Sequence, residues 1–413
     1  MKIIIATQHR GIVGGIETYL QALVPALLEN GHAIAMVYDY APADAATSTV
    51  DPPKAKLPVW YTEGLSRGSK PWQELTRWAP DVVYSNGLAS LEVDQALQEN
   101  YPTVLYLHNY WGTCTTGRKC HAFPSIQMCT RKFGPACLLL HYPRRCGGLN
   151  PLTTWRLFQA ERIHNARLAQ YRSVLVASNH MYSEVQRHGV SSDRLHVLRL
   201  PLNSISESAP APKVTGGGLV FVGRLTDLKG VDLLIRAVPH AERKLGRKLT
   251  LTIAGDGSEL PRLRRLAQQE RISAVFTGWV DNARRRDLMR AADLLVVPSL
   301  WPEPFGLVGI EAGNLGLPAA GFAVGGIPDW LLPGRTGELA PADPPSETGL
   351  ANAIARALAD QDHYSNLCRG AFEFSRQFTL EKHTEDLEAI LSGHTFASPE
   401  GIPEGVSSSN RDR

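Results

Sequence analysis

Two carboxylates separated by seven residues stand in Glu303-Pro304-Phe305-Gly306-Leu307-Val308-Gly309-Ile310-Glu311. Two permanent cations, Arg224 and Lys229, stand five residues apart in Gly223-Arg224-Leu225-Thr226-Asp227-Leu228-Lys229-Gly230. Carboxylates accept hydrogen bonds from hydroxyls. Arginine can fork onto a phosphate, and lysine meets it as a point charge. The helix expected from Leu307 to Leu315 adds N-terminal N–H groups near Gly306 and Leu307, and such groups favour anions. A ligand that needs both kinds of contact carries sugar hydroxyls and a diphosphate. A third feature, Gly14-Gly15, would let such a ligand approach backbone at a helix start. Each feature alone also has a plainer reading: an ordinary α/β glycine turn, solvated loop cations, or surface acids. Their joint occurrence after three strands favours a ligand, because open α/β sheets bind at strand C-termini.

The elements that must position these residues are legible as apolar runs. Leu294 to Pro298 precedes Glu303, Leu219 to Val222 precedes Arg224, and Ile3 to Ala6 precedes Gly14. Continuous rather than alternating apolar character indicates parallel strands buried on both faces. Further strands are expected at 33–38, 82–85, 103–107, 174–177 and 195–198, with helices over 16–29, 155–171 and 179–188. A second series follows at 249–254, 274–277 and 318–322. The fold expected is α/β, with two Rossmann-like domains facing a cleft. The expected division is an N-terminal domain over 1–202, a Ser/Pro/Gly-rich linker over 203–218, and a second domain over 219–374. A helix over 375–392 and a small, polar tail over 393–413, expected to be disordered, follow.

His108 ends the run Thr103 to Leu107 and is placed to hydrogen-bond a sugar or diphosphate; the alternative is a satisfied structural histidine. His9 and Arg10 precede the first glycine loop and are candidates for the acceptor side, or ordinary loop polarity. Asp360-Gln361-Asp362 has the form of a metal-binding acidic pair but lies far from these motifs, so no catalytic metal is assigned. Five of six cysteines, Cys114, Cys120, Cys129, Cys137 and Cys146, fall within an unusual segment over 112–148. Their spacings contain no close zinc-knuckle pair. A structural metal clip, buried apolar thiols and disulfides all stay open. The same segment and the helix after it are basic. That suits an anionic or lipid-linked acceptor at a membrane surface, or a merely solvated basic face.

At 413 residues with 43% hydrophobic and 20% charged content, the chain reads as a soluble two-domain protein. A formal charge of +3 is too small to argue for nucleic-acid binding. The opening residues read as a core strand rather than an export signal. The localisation expected is cytoplasmic, with peripheral contact to the inner membrane face an open alternative.

The chain resembles the retaining GT-B glycosyltransferases of family 4. The residues concerned are Gly14-Gly15-Ile16-Glu17, Gly223-Arg224-Leu225 with Lys229-Gly230, Ala254-Gly255-Asp256-Gly257, Phe276-Thr277-Gly278-Trp279-Val280, Glu303 with Glu311, and Val324-Gly325-Gly326-Ile327-Pro328. The likeness is dense over 216–340 and thinner over 1–200. It departs at Gly313-Asn314-Leu315 and in the cysteine-rich segment. The resemblance implies transfer of a hexose from a UDP- or GDP-sugar to a hydroxyl acceptor, without cofactor or metal. It implies that His108, Glu303, Arg224 and Lys229 serve catalysis. Gly14, Gly15, Trp279, Val280, Phe305, Gly306, Leu307 and Glu311 would complete the donor site, with backbone near Trp279-Val280 at the nucleobase. It also implies that the last helix crosses back to the first domain. A phosphorylase- or epimerase-like activity on this fold, or an inactive sugar-nucleotide sensor, are the competing readings.

Overall fold

The computed structural model describes residues 1–43, 47–52, 55–206 and 216–394. Residues 207–215 of the expected linker and 395–413 of the expected tail lie outside the described residues.

The first sheet gathers β1 (Lys2–His9), β2 (Ala33–Tyr40), β3 (Val59–Tyr61), β4 (Val82–Ser85) and β5 (Thr103–Leu107). A short antiparallel hairpin, β6 (Cys120–His121) with β7 (Gln127–Met128), stands apart. Then β8 (Ser173–Val176) and β9 (Leu195–Val197) close the first sheet, in the order β3-β2-β1-β4-β5-β8-β9. The second sheet contains β10 (Gly218–Val222), β11 (Thr250–Ala254), β12 (Ser273–Gly278), β13 (Leu294–Val297), β14 (Ala319–Phe322) and β15 (Gly337–Ala340), in the order β12-β11-β10-β13-β14-β15. Within both sheets every recorded pairing is parallel. Both therefore reverse direction beside their first strand, at β1/β4 and at β10/β13. Loops on either side of such a reversal part and leave a crevice at the strand C-termini. Gly14, Arg224 and Glu303 all follow strands at these two points.

Helices cover the sheets: α1 (Gly15–Glu29), α2 (Lys70–Trp78), α3 (Leu91–Asn100), α4 (Ala136–His141), α5 (Pro151–Leu168) and α6 (Asn179–Arg187) in the first half. The second half has α7 (Val231–Leu245), α8 (Leu260–Gln269), α9 (Asn282–Ala291), α10 (Leu307–Gly313), α11 (Glu347–Ala359), α12 (Gln361–Ser375) and α13 (Leu380–Ser392). The strands are as buried as their composition requires: Ile3, Ile4, Ile5, Leu294, Leu295 and Val296 are all 0% exposed. Among the described residues no helix is long and apolar enough to cross a membrane.

Several boundaries differ from the sequence reading, among them three at helix ends. The helix expected from residue 155 starts at Pro151, because Asn150 Oδ1 accepts from Leu152 N and Thr153 N while proline occupies the first turn. The helix expected over 375–392 is instead the end of α12 followed by α13, divided where Thr379 caps the new helix through Lys382 N. The helix after Gly306 stops at Gly313 rather than Leu315. Asp360 is the N-cap of α12 and accepts from His363 N, which accounts for the acidic pair there.

The last helix, α13, packs on the first half of the molecule. His383 Nε2 lies 2.8 Å from Tyr19 Oη and its Nδ1 2.8 Å from the Arg199 carbonyl. Glu388 accepts from Asn30 at 2.7 Å and lies 3.0 Å from His32 Nε2. His383 is 3% exposed, and burial pushes its pKa down to about 4 against the opposing Arg199 hydrogen bond. Above about 6.5 the ring is neutral in both the folded and the unfolded chain. Below that, the unfolded chain takes a proton that the folded chain refuses until about pH 4. Stability should fall across this window by up to about 1.4 kcal/mol per pH unit from this group. Denaturant unfolding from pH 7 to 5 should show a slope shallower by about one proton in His383→Gln; identical slopes would remove His383 as the cause.

Candidate functional site

Lys229 is fixed by a tight turn and a close backbone contact. A 3-10 turn over Asp227–Lys229 ends at Gly230, whose φ of +63° suits glycine. A Cβ at Gly230 would also stand 2.1 Å from the Pro298 carbonyl, so the loop rests directly on the end of β13. That contact brings Lys229 Nζ to 2.5 Å from Glu303 Oε1. Ser299 Oγ donates to the same oxygen at 2.6 Å. Glu303 itself is 7% exposed and held from behind. Gly326 N donates to the Glu303 carbonyl at 2.7 Å, and a Cβ on Gly325 would lie 2.5 Å from Glu303 N and O. With φ of +55° as well, Gly325 is a position that only glycine fills comfortably. The Gly325-Gly326 pair thus presses the Glu303 loop toward Lys229.

Gly306, at φ +89°, caps α10, and the Trp330 indole donates to the Phe305 carbonyl at 2.7 Å. Further along this short helix, Glu311 pairs with Arg285 of α9 at 2.9 Å. Burial pushes the Glu311 carboxyl up, and Arg285 opposes that.

These groups share one cleft of about 2240 Å³, counting space open to solvent. Gly14, Gly15, His108, Lys229, Trp279, Glu303, Phe305, Gly306, Leu307 and Glu311 all line it. A Cβ on Gly15 would meet nothing within 4 Å, so the cleft lies open above the start of α1. Gly14 has extended backbone at φ −164° and needs no special conformation. Trp279 is 77% exposed. Arg224 stands exposed on the loop that leads into the Lys229 turn, outside the lining of the cleft, and has no ion-pair partner among the described residues. Val280 is half-buried just beyond the lining.

Neither His9 nor Arg10 lines this cleft. The Arg10 guanidinium is forked onto Asp51 at 2.9 and 2.8 Å and reaches Tyr61 at 3.1 Å, while His9 packs on Tyr40. Their side chains are engaged within the first domain.

His108 stands where the cleft meets a second, smaller pocket of about 680 Å³, counting space open to solvent, on the first domain. Its Nε2 lies 2.8 Å from Asn86 Oδ1 and its ring stacks on Tyr106. Burial, with His383 nearby, holds its pKa down at about 3, so the ring is neutral at pH 7 and offers hydrogen bonds rather than charge. The sequence reading missed several polar groups of these two cavities. Glu17, quoted there only as part of the first glycine motif, is 4% exposed, and Asn86 Nδ2 is buried with no partner among the described residues; both border the smaller pocket. Ser299 and Arg285 line the cleft. Arg285 sits in Arg284-Arg285-Arg286, a run that reads as a solvated helix face, and Ser299 has no distinguishing neighbour.

The cysteine-rich segment is pinned to α6. Lys119, 2% exposed, pairs with Glu184 and donates to the Arg131 carbonyl at 2.5 Å, and Phe133 N donates to His188 Nε2 at 2.9 Å. All five cysteines there are free thiols. Burial pushes Cys120 up to about 12 and Cys146 up to about 11, and raises Cys137. Among the described residues no group of three or more His, Cys, Asp or Glu side chains is placed to hold a metal ion.

The family model of Glycosyltransferase Family 4 matches residues 13–203, and that of Glycosyl transferases group 1 matches residues 209–374. The chain is a GT-B-fold relative of these glycosyltransferases. Among curated proteins it is 36% identical over 156 residues to a glycogen synthase of Mycobacterium tuberculosis, covering 37% of this chain and 36% of that one. It is 30% identical over 264 residues to a D-inositol 3-phosphate glycosyltransferase of Xylanimonas cellulosilytica, covering 58% and 62%. The likeness thus spans about a third to three fifths of the length of these relatives. Among solved structures, HepE of Anabaena in complex with UDP superposes with a TM-score of 0.67 at 18% identity, over 95% of this chain and all of that one. WaaG, a glycosyltransferase involved in lipopolysaccharide biosynthesis, gives 0.62 at 18% identity over 95% and 100%. At these identities the superpositions establish the GT-B fold, with its two α/β domains about a cleft.

Proposed function

We propose that the chain is a retaining hexosyltransferase that moves a sugar from a nucleoside-diphosphate donor to a hydroxyl acceptor in polysaccharide or glycoconjugate synthesis. The observation that carries this is the convergence on one cleft of Lys229, Ser299 and Glu303 with Arg285 and Glu311. Cations and hydroxyl-accepting carboxylates then stand together beside a sheet reversal. In this reading Lys229 and Arg224 hold the diphosphate, Glu303 the hydroxyls of the transferred sugar, and Glu311 the ribose. The backbone near Trp279 and Val280 meets the base.

The bond from the anomeric carbon to the diphosphate breaks, and the acceptor oxygen bonds to that carbon on the same face. The departing phosphate takes the acceptor proton. Fixed cations stabilise the charge that develops on the diphosphate, as preorganised electrostatics require. No side chain is assigned as a covalent nucleophile. Residues 1–202 and 219–374 act as acceptor and donor domains, and the setting is cytoplasmic. The HepE complexes with UDP and UDP-glucose make UDP-hexoses the first donors to try.

The test is donor hydrolysis across a panel of UDP- and GDP-hexoses, with and without a chelator that strips magnesium and manganese. Turnover of one nucleotide class, unchanged by the chelator, is expected. Absence of turnover with every donor, despite nucleotide binding, would favour a sensor instead. Complete loss in chelator, restored by manganese, would refute the metal-free assignment.

A further inference from the structure

From residue 100 to residue 160 the chain contains seven Lys and Arg and no Asp or Glu, and all of these cations but the buried Lys119 reach the surface. Among the described residues, eight of the twelve large hydrophobic residues that stand exposed lie between Phe123 and Ile163. Cationic and apolar character are therefore concentrated on the same surface. Helix α5 organises it. Thr154, Phe158, Glu161 and Leu168 are buried on one side. Leu152, Trp155, Arg156 and Ile163 share the opposite side by helical spacing. There Leu152 is 70% exposed, Trp155 52% and Ile163 39%. Leu139 and Leu149 on the preceding segment are 78% and 74% exposed.

We propose that this face of the cysteine-rich segment and α5 docks on an anionic lipid surface. The charge pattern selects that occupant. A second copy packed on the same face would press cations against cations, and a purely polyanionic partner would leave the leucines and Trp155 uncovered. A bilayer with acidic headgroups satisfies both, since leucine and tryptophan enter the headgroup boundary while arginines meet phosphate. The segment is held for this purpose by the buried Lys119–Glu184 pair. The same helix also touches the small pocket on its inner side. His164 stacks on Trp111 with centroids 5.7 Å apart, and both line that pocket with Leu168. A lipid-anchored acceptor would thus lie one helix width from His108. This last step rests on the transferase reading; the docking does not.

The experiment is co-sedimentation of the full chain with phosphatidylcholine vesicles, with and without phosphatidylglycerol. Partition onto the anionic vesicles is expected, weakened by added salt. Arg145→Ala with Arg156→Ala should reduce it roughly tenfold or more, and Leu152→Glu with Trp155→Glu should abolish it. Calorimetry with UDP and GDP, supported by circular dichroism, checks that each variant stays folded; a variant that fails is replaced by its single substitutions. No partition of the wild-type chain onto anionic vesicles would overturn the proposal. So would partition unchanged by the substitutions, or a concentration-dependent dimer that Trp155→Glu dissolves in the absence of vesicle binding. Failure of donor hydrolysis with intact vesicle binding would refute the transferase reading alone.

Discussion

Lys229→Ala should lower kcat/KM for transfer by about a hundredfold to a thousandfold, the range found when a preorganised charge-stabilising group is removed. Nucleoside-diphosphate affinity should fall as well, by roughly 1.5–3 kcal/mol for a lost charge-assisted contact. Part of the effect is structural. Glu303 is 7% exposed and keeps only Ser299 once its cation is gone. Arg224→Ala separates the two contributions, because Arg224 is exposed on the loop that leads into the Lys229 turn and has no ion-pair partner among the described residues. It should leave the melting temperature unchanged while weakening diphosphate binding. Wild-type turnover and affinity in both variants would remove the Gly223–Gly230 turn from the donor site.

The two glutamates should fail in opposite ways. Glu303→Gln is expected to cut turnover by about a hundredfold or more and to leave nucleoside-diphosphate affinity intact or improved. The improvement would follow from the observed ion pair: Lys229, no longer held by a carboxylate at 2.5 Å, is free to meet phosphate. Glu311→Gln should instead weaken the bare nucleoside diphosphate by about 1 kcal/mol or more, since a neutral amide accepts from a hydroxyl less strongly than a carboxylate. Calorimetry with the nucleoside diphosphate, which carries ribose and no sugar, reads the difference directly. Lost affinity in Glu303→Gln with full affinity in Glu311→Gln would reverse the placement of sugar and ribose.

Much of this arrangement was readable because strand ends announce themselves. Leu294 to Val297 and Ile3 to Ala6 are apolar without interruption, so their burial and the loops after them follow from composition alone. The identity of the cleft residues at those loops followed in turn. What was not readable depends on contacts between distant segments. Nothing local distinguishes Arg285 from Arg284 and Arg286; only the packing of α9 beside α10 selects it for Glu311. Nothing local shows that Arg10 is consumed by Asp51, since the partner arrives from the loop after β2. Glu17 looks like a first-turn helix acid until the first sheet closes around it. The weight of the cysteines was also hidden. Their spacing leaves metal, thiol and disulfide readings open, whereas the structure shows free cysteines, with burial raising the thiols of Cys120, Cys137 and Cys146.

The return of α13 to the first domain has a mechanical consequence. The chain passes between the two halves twice, once after Asn203 and once before Leu380. A single tether allows one body to tumble about the other. Two tethers side by side act as the two leaves of a door hinge, and they permit little beyond rotation about the line that joins them. Tyr19 and Arg199 clamp His383 near that line. Opening would then sweep Lys229 and Glu303 along one arc relative to His108 and return them to the same register at each closure. Accuracy of alignment would be set by where the pivot lies rather than by how tightly either half grips its ligand.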